Sequence, residues 1–209
     1  HIDERLVIEV KFVAVERPSQ PVFHGQAGIN LTLSRVVKHA HGVAAGVFRA
    51  VKRHIGLSQQ MAVHSVERAY KAIVYGGFAQ DEGFVESNLG RSKTDRKKMA
   101  VYPAGEPNTK YAYKGYKVLE RLGEFTMLEC RLKTGRTHQI RVHMASIQHP
   151  VAGDPVYGPH NCITSLHGQC LHAKTLGFIH PITGEQLRFD SELPEYFTHF
   201  LATLRRKNP

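Results

Sequence analysis

Two β-forming runs, Ala112–Leu122 and Phe125–Leu132, are separated by only Gly123 and Glu124. A two-residue connection of this kind reads as a hairpin, which makes the two strands antiparallel neighbours. Other segments extend the same pattern. Glu67–Tyr75 alternates Tyr70, Ala72 and Val74 and ends at Gly76-Gly77, as a strand does. Leu171–Ile179 and Gln186–Phe189 read as a second hairpin, joined by His180-Pro181-Ile182-Thr183-Gly184. Near the start, Val7–Val15 is strand material, and Glu16–Pro21 must leave the sheet because each proline lacks a donor.

Helical spacing is sparser. Leu31–Ala40 places Leu33, Val36, Val37 and Ala40 on one side, and Gly42–Gly46 reads as a loop. Gly56–Val66 reads as a helix with Leu57, Met61 and Val66 inward. His138–Ile147 reads as a short helix with Ile140, Met144 and Ile147 inward, and Leu193–Leu204 as a final amphipathic helix. Arg205-Arg206-Lys207 at its end complement the helix dipole as well as they would serve RNA. There is no βαβ period, no Gly-rich dinucleotide loop and no P-loop. The predicted class is α+β, a mostly antiparallel sheet with short flanking helices, read as a single domain over 1–209.

Composition narrows the function classes. The chain has 28 Lys+Arg against 18 Asp+Glu, a formal charge of +10, which points to a polyanionic partner or to a basic surface kept for solubility. No apolar run approaches the ~18–20 residues of a membrane span, so no membrane partner is expected. Three cysteines, Cys130, Cys162 and Cys170, at loose spacing suit a reducing compartment rather than a disulfide scaffold. The opening HIDERLVIEV carries three acidic residues and resembles neither a signal nor a transit peptide. An intracellular setting follows, cytoplasmic or mitochondrial.

The chemistry concentrates in Lys133–Met144, KTGRTHQIRVHM. A strand arrives, Gly135 lets the chain turn, and Thr137 is the expected N-cap. Free amides at such a helix start attract an anion. Arg136 lies in the turn, and His138 and Arg141 are three apart on one helical face, opposite Ile140 and Met144. This predicts a phosphate or carboxylate site on an exposed face. Upstream, residues 79–109 are mostly polar and carry the densest basic stretch, Arg91, Lys93, Arg96, Lys97 and Lys98. It reads as a solvated loop or a phosphate-backbone contact. His160, Cys162, His167, Cys170 and His172 lack the paired spacing of structural zinc sites, so no metal is expected.

GRTHQIRVHMASIQHPVAGDPVYG followed by LHAKTLGFIHPITGE resembles the RluA-type RNA pseudouridine synthases. Phe12–His24 is similar to the family's early strand and K-P-x-G-x-x-V-H segment. Leu57–Met61 with Val66–Ala72 is similar to its helix and Tyr-bearing strand, and Asp95–Val101 to a basic motif ahead of its middle strands. The resemblance implies a cofactor-free isomerase. Such an enzyme everts a uridine, detaches the base, turns it and rejoins it through carbon 5. It also implies that Tyr70 packs on the flipped base and that Arg141 pairs with a nucleophilic aspartate, keeping it ionised. Arg136, His138, Arg91, Arg96, Lys97 and Lys98 are the expected RNA contacts. The implied partner is RNA, ribosomal rather than transfer RNA, free or within a ribosomal or pre-ribosomal particle, with no DNA.

The family's H-R-L-D-x-x-T-S-G segment is absent. The five aspartates are Asp3, Asp81, Asp95, Asp154 and Asp190, and none has that context. Either Lys38–Gly46 aligns without gaps and puts His41 in the nucleophile's place, or a segment is absent near the 47/48 junction, which makes both flanks fit. A histidine, neutral or cationic near pH 7, cannot replace a carboxylate facing Arg141. The 209 residues as they stand are therefore not expected to catalyse, and two functions remain. One is an RNA pseudouridine synthase completed by the absent segment. The other is a catalytically silent RNA-binding or ribosome-assembly protein on the same fold.

Overall fold

The expected central hairpin forms, with strands Lys110–Leu122 and Phe125–Leu132 turning through Gly123 and Glu124. Gly123 has φ +66° and Glu124 is not among the residues of positive φ, the signature of a II′ turn with glycine at its first central position. These strands are the middle of the sheet in a computed structural model that describes residues 54–208. The expectations for Val7–Val15, Phe12–His24, Leu31–Ala40, Gly42–Gly46 and the 47/48 junction lie outside the described residues.

In chain order the elements are α1 (helical over 54–62), β1 (Glu67–Tyr75), β2 (Glu82–Arg91), β3 (Met99–Tyr102), β4 (Lys110–Leu122) and β5 (Phe125–Leu132). Then come α2 (Gln139–Ser146), a short 3-10 turn at Thr164–Leu166, β6 (Leu171–Ile179), β7 (Gln186–Asp190) and α3 (Glu195–Lys207). The seven strands form one sheet in the order β3-β2-β4-β5-β1-β6-β7, and every pairing is antiparallel. The α+β expectation therefore holds. The segment 79–109, read as a mostly polar loop, instead contributes β2 and β3. Only Val85 and Leu89 of β2 are buried apolar side chains, while Phe84 is 61% exposed. That leaves the strand without a clean alternation to recognise.

Helices cover both faces. On one, Ala72, Val74, Leu128 and Cys130 pack with Ile140 and Met144 of α2. On the other, Ile73, Met127 and Leu122 pack with Phe197, Leu201 and Leu204 of α3, spaced i, i+4, i+7. The alternation in β1 and β5 follows directly from the pleat. In β4 the parity changes. A register shift between Val118 and Glu120 leaves Leu119 partly exposed, and the bulge carries Leu122 onto the α3 face although Val118 faces α2. The final helix starts at Glu195 rather than Leu193, with Pro194 at its N-cap. Arg205 does more there than complement a dipole: its Nε and Nη2 grip Glu120 of β4 at 2.8 and 2.7 Å. Near the start, Leu57 is half-buried, but Met61 is exposed and the helix ends before Val66, which is buried beside β1.

Candidate nucleic-acid interface and active site

The turn into α2 is built by a buried amide. Gln139 Oε1 accepts from Thr134 Oγ1 and from the Arg136 N–H, both at 2.9 Å, and its Nε2 donates to the Tyr113 carbonyl of β4 at 2.9 Å. Thr134 Oγ1 accepts from the Tyr113 N–H at 2.8 Å. Gln139 is thereby satisfied inside the fold, and the turn is pinned to β4. At Gly135 the chain passes close to the Arg68 side chain. A Cβ there would collide with the guanidinium of Arg68, whose Nη2 donates to the Lys133 carbonyl at 2.8 Å.

Thr137 is not the N-cap. That position belongs to His138, which sits in the left-handed region at φ +55° and makes no side-chain cap. A non-glycine residue held there carries a conformational cost of about 1–3 kcal/mol, and such residues cluster at functional sites. His138 Nδ1 lies 2.9 Å from the hydroxyl of Tyr157.

Arg141 departs most from expectation. The spacing puts it on an exposed face, yet it is 9% exposed and bound edge-on to Asp154, which is fully buried. Arg141 Nε donates to Oδ2 at 2.7 Å and Nη2 to Oδ1 at 2.6 Å. Asp154 Oδ1 also accepts the N–H groups of Val156 and Tyr157 at 2.9 and 3.0 Å. One carboxylate thus fixes both the guanidinium and the G-D-P-V-Y-G loop. Nε and Nη2 are committed, and Nη1 has no hydrogen bond within the described residues. The guanidinium carbon lies 5.0 Å from the centre of the Tyr157 ring. The remaining end of Arg141 can therefore meet an anion without disturbing the pair that holds it.

Tyr157 was not assigned a role by sequence. Its hydroxyl accepts the Met99 N–H from β3 at 2.8 Å, and its ring packs beside Leu89, Ala112 and Val142. Burial pushes its hydroxyl above the usual phenol range, opposed by the Met99 amide and the charges of Arg141 and Arg91. Arg91 of β2 is exposed and donates through Nη1 to the Arg96 carbonyl at 3.1 Å. Arg96 and Lys97 are exposed and Lys98 half-buried on the 92–98 loop, while Arg136 is half-buried and donates to the Tyr111 carbonyl at 2.8 Å. The structure therefore brings Arg91, His138 and Arg141 together around Tyr157 and Asp154, with the basic loop attached.

Tyr70 sits elsewhere on the same face of the sheet. It shares the parity of Ala72 and Val74 and packs on the cluster that contains Ile140 and Met144 of α2. A register shift between Ala69 and Tyr70 marks a bulge against β6, a feature common beside active sites because it re-aims a side chain. Burial raises its phenol above the usual range, opposed by Arg68. Tyr70 and Arg141 make no direct hydrogen bond; α2 relates them, since Ile140 packs on the cluster flanked by Tyr70 and the next residue is Arg141.

Two other buried groups lie under α2. Lys114 of β4 is fully buried, its Nζ has no hydrogen-bond partner among the described residues and lies 5.8 Å from the centre of the Tyr116 ring, and burial lowers it to about 8. His143 holds Ser87 Oγ at 3.0 Å through Nε2, and burial, with Lys114 nearby, lowers it to about 4. No group of three or more His, Cys, Asp or Glu converges on a possible metal position among the described residues.

A single antiparallel sheet carries a basic hairpin beside an anchored arginine of α2, an arrangement of charge that suits an anion. Comparison with known sequences makes the class specific. The family described as RNA pseudouridylate synthase matches residues 52–146. An uncharacterized RNA pseudouridine synthase of Bacillus subtilis, YlyB, is 46% identical over 153 residues, 73% of this chain and 49% of that protein. Ribosomal large subunit pseudouridine synthase D of Zymomonas mobilis is 37% identical over 224 residues, covering 92% of this chain and 68% of that protein. Among solved structures, human RNA pseudouridylate synthase domain containing 1 superposes with TM-score 0.56 at 23% identity, over 72% of this chain and 70% of that one. The chain belongs to the RNA pseudouridylate synthase family. It spans about half the length of the Bacillus relative.

Proposed function

We propose that this domain receives an everted uridine of ribosomal RNA between Tyr70 and the Arg141 end of α2. It isomerises that uridine to pseudouridine when the aspartate segment near 47/48 is present. The observation that carries the reading is the edge-on Arg141–Asp154 pair, which leaves one guanidinium end available beside a helix start. A carboxylate brought to that end stays ionised and nucleophilic. Tyr70 supplies a half-buried ring on the same side of the sheet for stacking the extruded base. The chemistry breaks one carbon–nitrogen bond and makes one carbon–carbon bond on the same nucleotide, so no cofactor is required. Arg136, His138, Arg91, Arg96, Lys97 and Lys98 hold the RNA backbone.

Relatives that act on the large ribosomal subunit support ribosomal RNA, within a ribosomal particle, as the substrate. Their bacterial origin supports a cytoplasmic rather than a mitochondrial setting. The match to the Zymomonas protein extends over 224 positions, more than the 209 residues of this chain, so that relative has residues inside the matched region with no counterpart here. This supports an absent segment within a single domain over 1–209.

The test has two parts. The gene is read across the 47/48 junction for an H-R-L-D-like insertion, and its product is incubated with ribosomal RNA and the pseudouridines are mapped. A new pseudouridine is expected. An uninterrupted gene and no product on any cellular RNA would leave the silent RNA-binding protein as the function. RNA affinity is also expected to fall steeply with salt. Replacing Arg96 and Lys97 together by Ala lowers the slope of log K against log salt by about 0.7 for each phosphate of single-stranded RNA that is no longer neutralised. An unchanged slope contradicts the phosphate role of the loop.

A further inference from the structure

We propose that Tyr157 is a positioning residue that couples the basic β2–β3 hairpin to the His138–Arg141 end of α2, so that RNA held by one is felt by the other. The inference rests on the reading of this face as an RNA groove.

The 92–98 loop is internally ordered. Ser92 N–H donates to the Lys98 carbonyl at 3.0 Å, Lys98 N–H to the Asp95 carbonyl at 2.9 Å, and Lys97 N–H to Asp95 Oδ1 at 2.9 Å. Arg91 closes over it through the Arg96 carbonyl. The loop therefore moves as a unit, and its exit is Met99, whose amide donates to Tyr157 Oη. The same hydroxyl lies 2.9 Å from His138 Nδ1, and the same ring underlies the Arg141 guanidinium. Two elements distant in sequence, β3 and the α2 start, thus converge on one side chain, and the Tyr157 backbone N–H is held by Asp154, which also anchors Arg141. The hydroxyl has a single proton and accepts from Met99, so a shift of that amide changes the hydrogen bond left for His138. A phosphate pulling on Arg96 or Lys97 displaces the loop exit, and Tyr157 passes the displacement to His138.

A tyrosine that only fills space would alter stability without linking the two ends. The discriminating measurement is a double-mutant cycle on RNA affinity, using a single-stranded uridine-containing oligonucleotide. One arm is Arg96→Ala with Lys97→Ala, the other His138→Ala. The cycle is repeated in a Tyr157→Phe background, which keeps the ring but removes the hydroxyl. With Tyr157 present, the two arms are expected to be non-additive by about fivefold in Kd. In the Tyr157→Phe background they become additive, and 3-fluorotyrosine at position 157, which retains the hydroxyl, restores the non-additivity. Non-additivity that survives Tyr157→Phe, or additivity with the native tyrosine, overturns the coupling while leaving the RNA groove intact. If neither arm alone changes affinity, the groove itself is wrong and the coupling falls with it.

Discussion

Asp154→Ala is expected to remove about 3–5 kcal/mol of folding stability, the range seen when one partner of a buried ion pair is deleted. Asp154 is fully buried, and it accepts two N–H groups from Arg141 and two from the backbone of its own loop. Its removal leaves a guanidinium that is 9% exposed without a counter-charge, and two amides without an acceptor. The loop that carries Tyr157 loses its anchor at the same time. Asp154→Asn keeps one acceptor oxygen without the charge and is expected to be intermediate. Urea unfolding at pH 7 reads the difference. A loss below about 1 kcal/mol for the alanine variant, the scale of an exposed pair, would show that the ion pair does not hold this part of the fold.

The second large effect has the opposite sign. Lys114→Met is expected to stabilise the protein at pH 7 by about 3 kcal/mol, the cost of holding a lysine at about 8 instead of 10.5. The cause is burial without a counter-charge: Nζ is enclosed between β4 and α2 with no hydrogen-bond acceptor among the described residues, and only the Tyr116 ring lies over it, 5.8 Å away. Among the described residues the titratable groups that share this layer are His143 and Cys130, and neither supplies a negative charge at pH 7. Because the folded state binds the Lys114 proton more weakly than the unfolded state, the penalty is fully present below pH 8. It fades as pH rises from 8 towards 10.5. The advantage of Lys114→Met should therefore shrink across that window. His143 acts lower on the scale. Lowered to about 4, it stays neutral in the fold while the unfolded chain takes up a proton near 6.5, so its contribution is lost as pH falls from 6.5 to 4. Equal stability of Lys114→Met and the native protein at pH 7 would contradict an unpaired cation at this position.

The parts of the fold that sequence disclosed were those with a local cause. The two-residue hairpin at Gly123-Glu124, the alternation of Tyr70, Ala72 and Val74, and the amphipathic final helix each follow from neighbours in the chain. What stayed hidden depended on distant partners. Strand β2 shows no alternation because Glu82, Phe84, Glu86 and Asn88 occupy its other face, and only Val85 and Leu89 enter the core. Helix α2 buries Gln139, Arg141 and His143 along with Ile140, Val142 and Met144, so periodicity misplaces Arg141 on the surface. The compensating charge, Asp154, lies thirteen residues on, beyond the reach of a helical pattern. The G-D-P-V-Y-G stretch was visible as a motif. The role of Tyr157 was not, because its partners are a backbone amide of β3 and a histidine in an unusual conformation. Family resemblance supplied Tyr70 and Arg141 as a pair. The structure adds that both belong to the α2 side of the sheet.

The most direct measurement of the central proposal is photo-crosslinking of a 4-thiouridine-bearing ribosomal RNA fragment to the protein, with the attached peptides identified by mass spectrometry. Attachment is expected on the β1 peptide carrying Tyr70 and on the peptides carrying His138, Arg141 and Tyr157. Attachment confined to the opposite side, at α3 and the Thr164–Leu166 turn, would contradict the placement of the everted nucleotide.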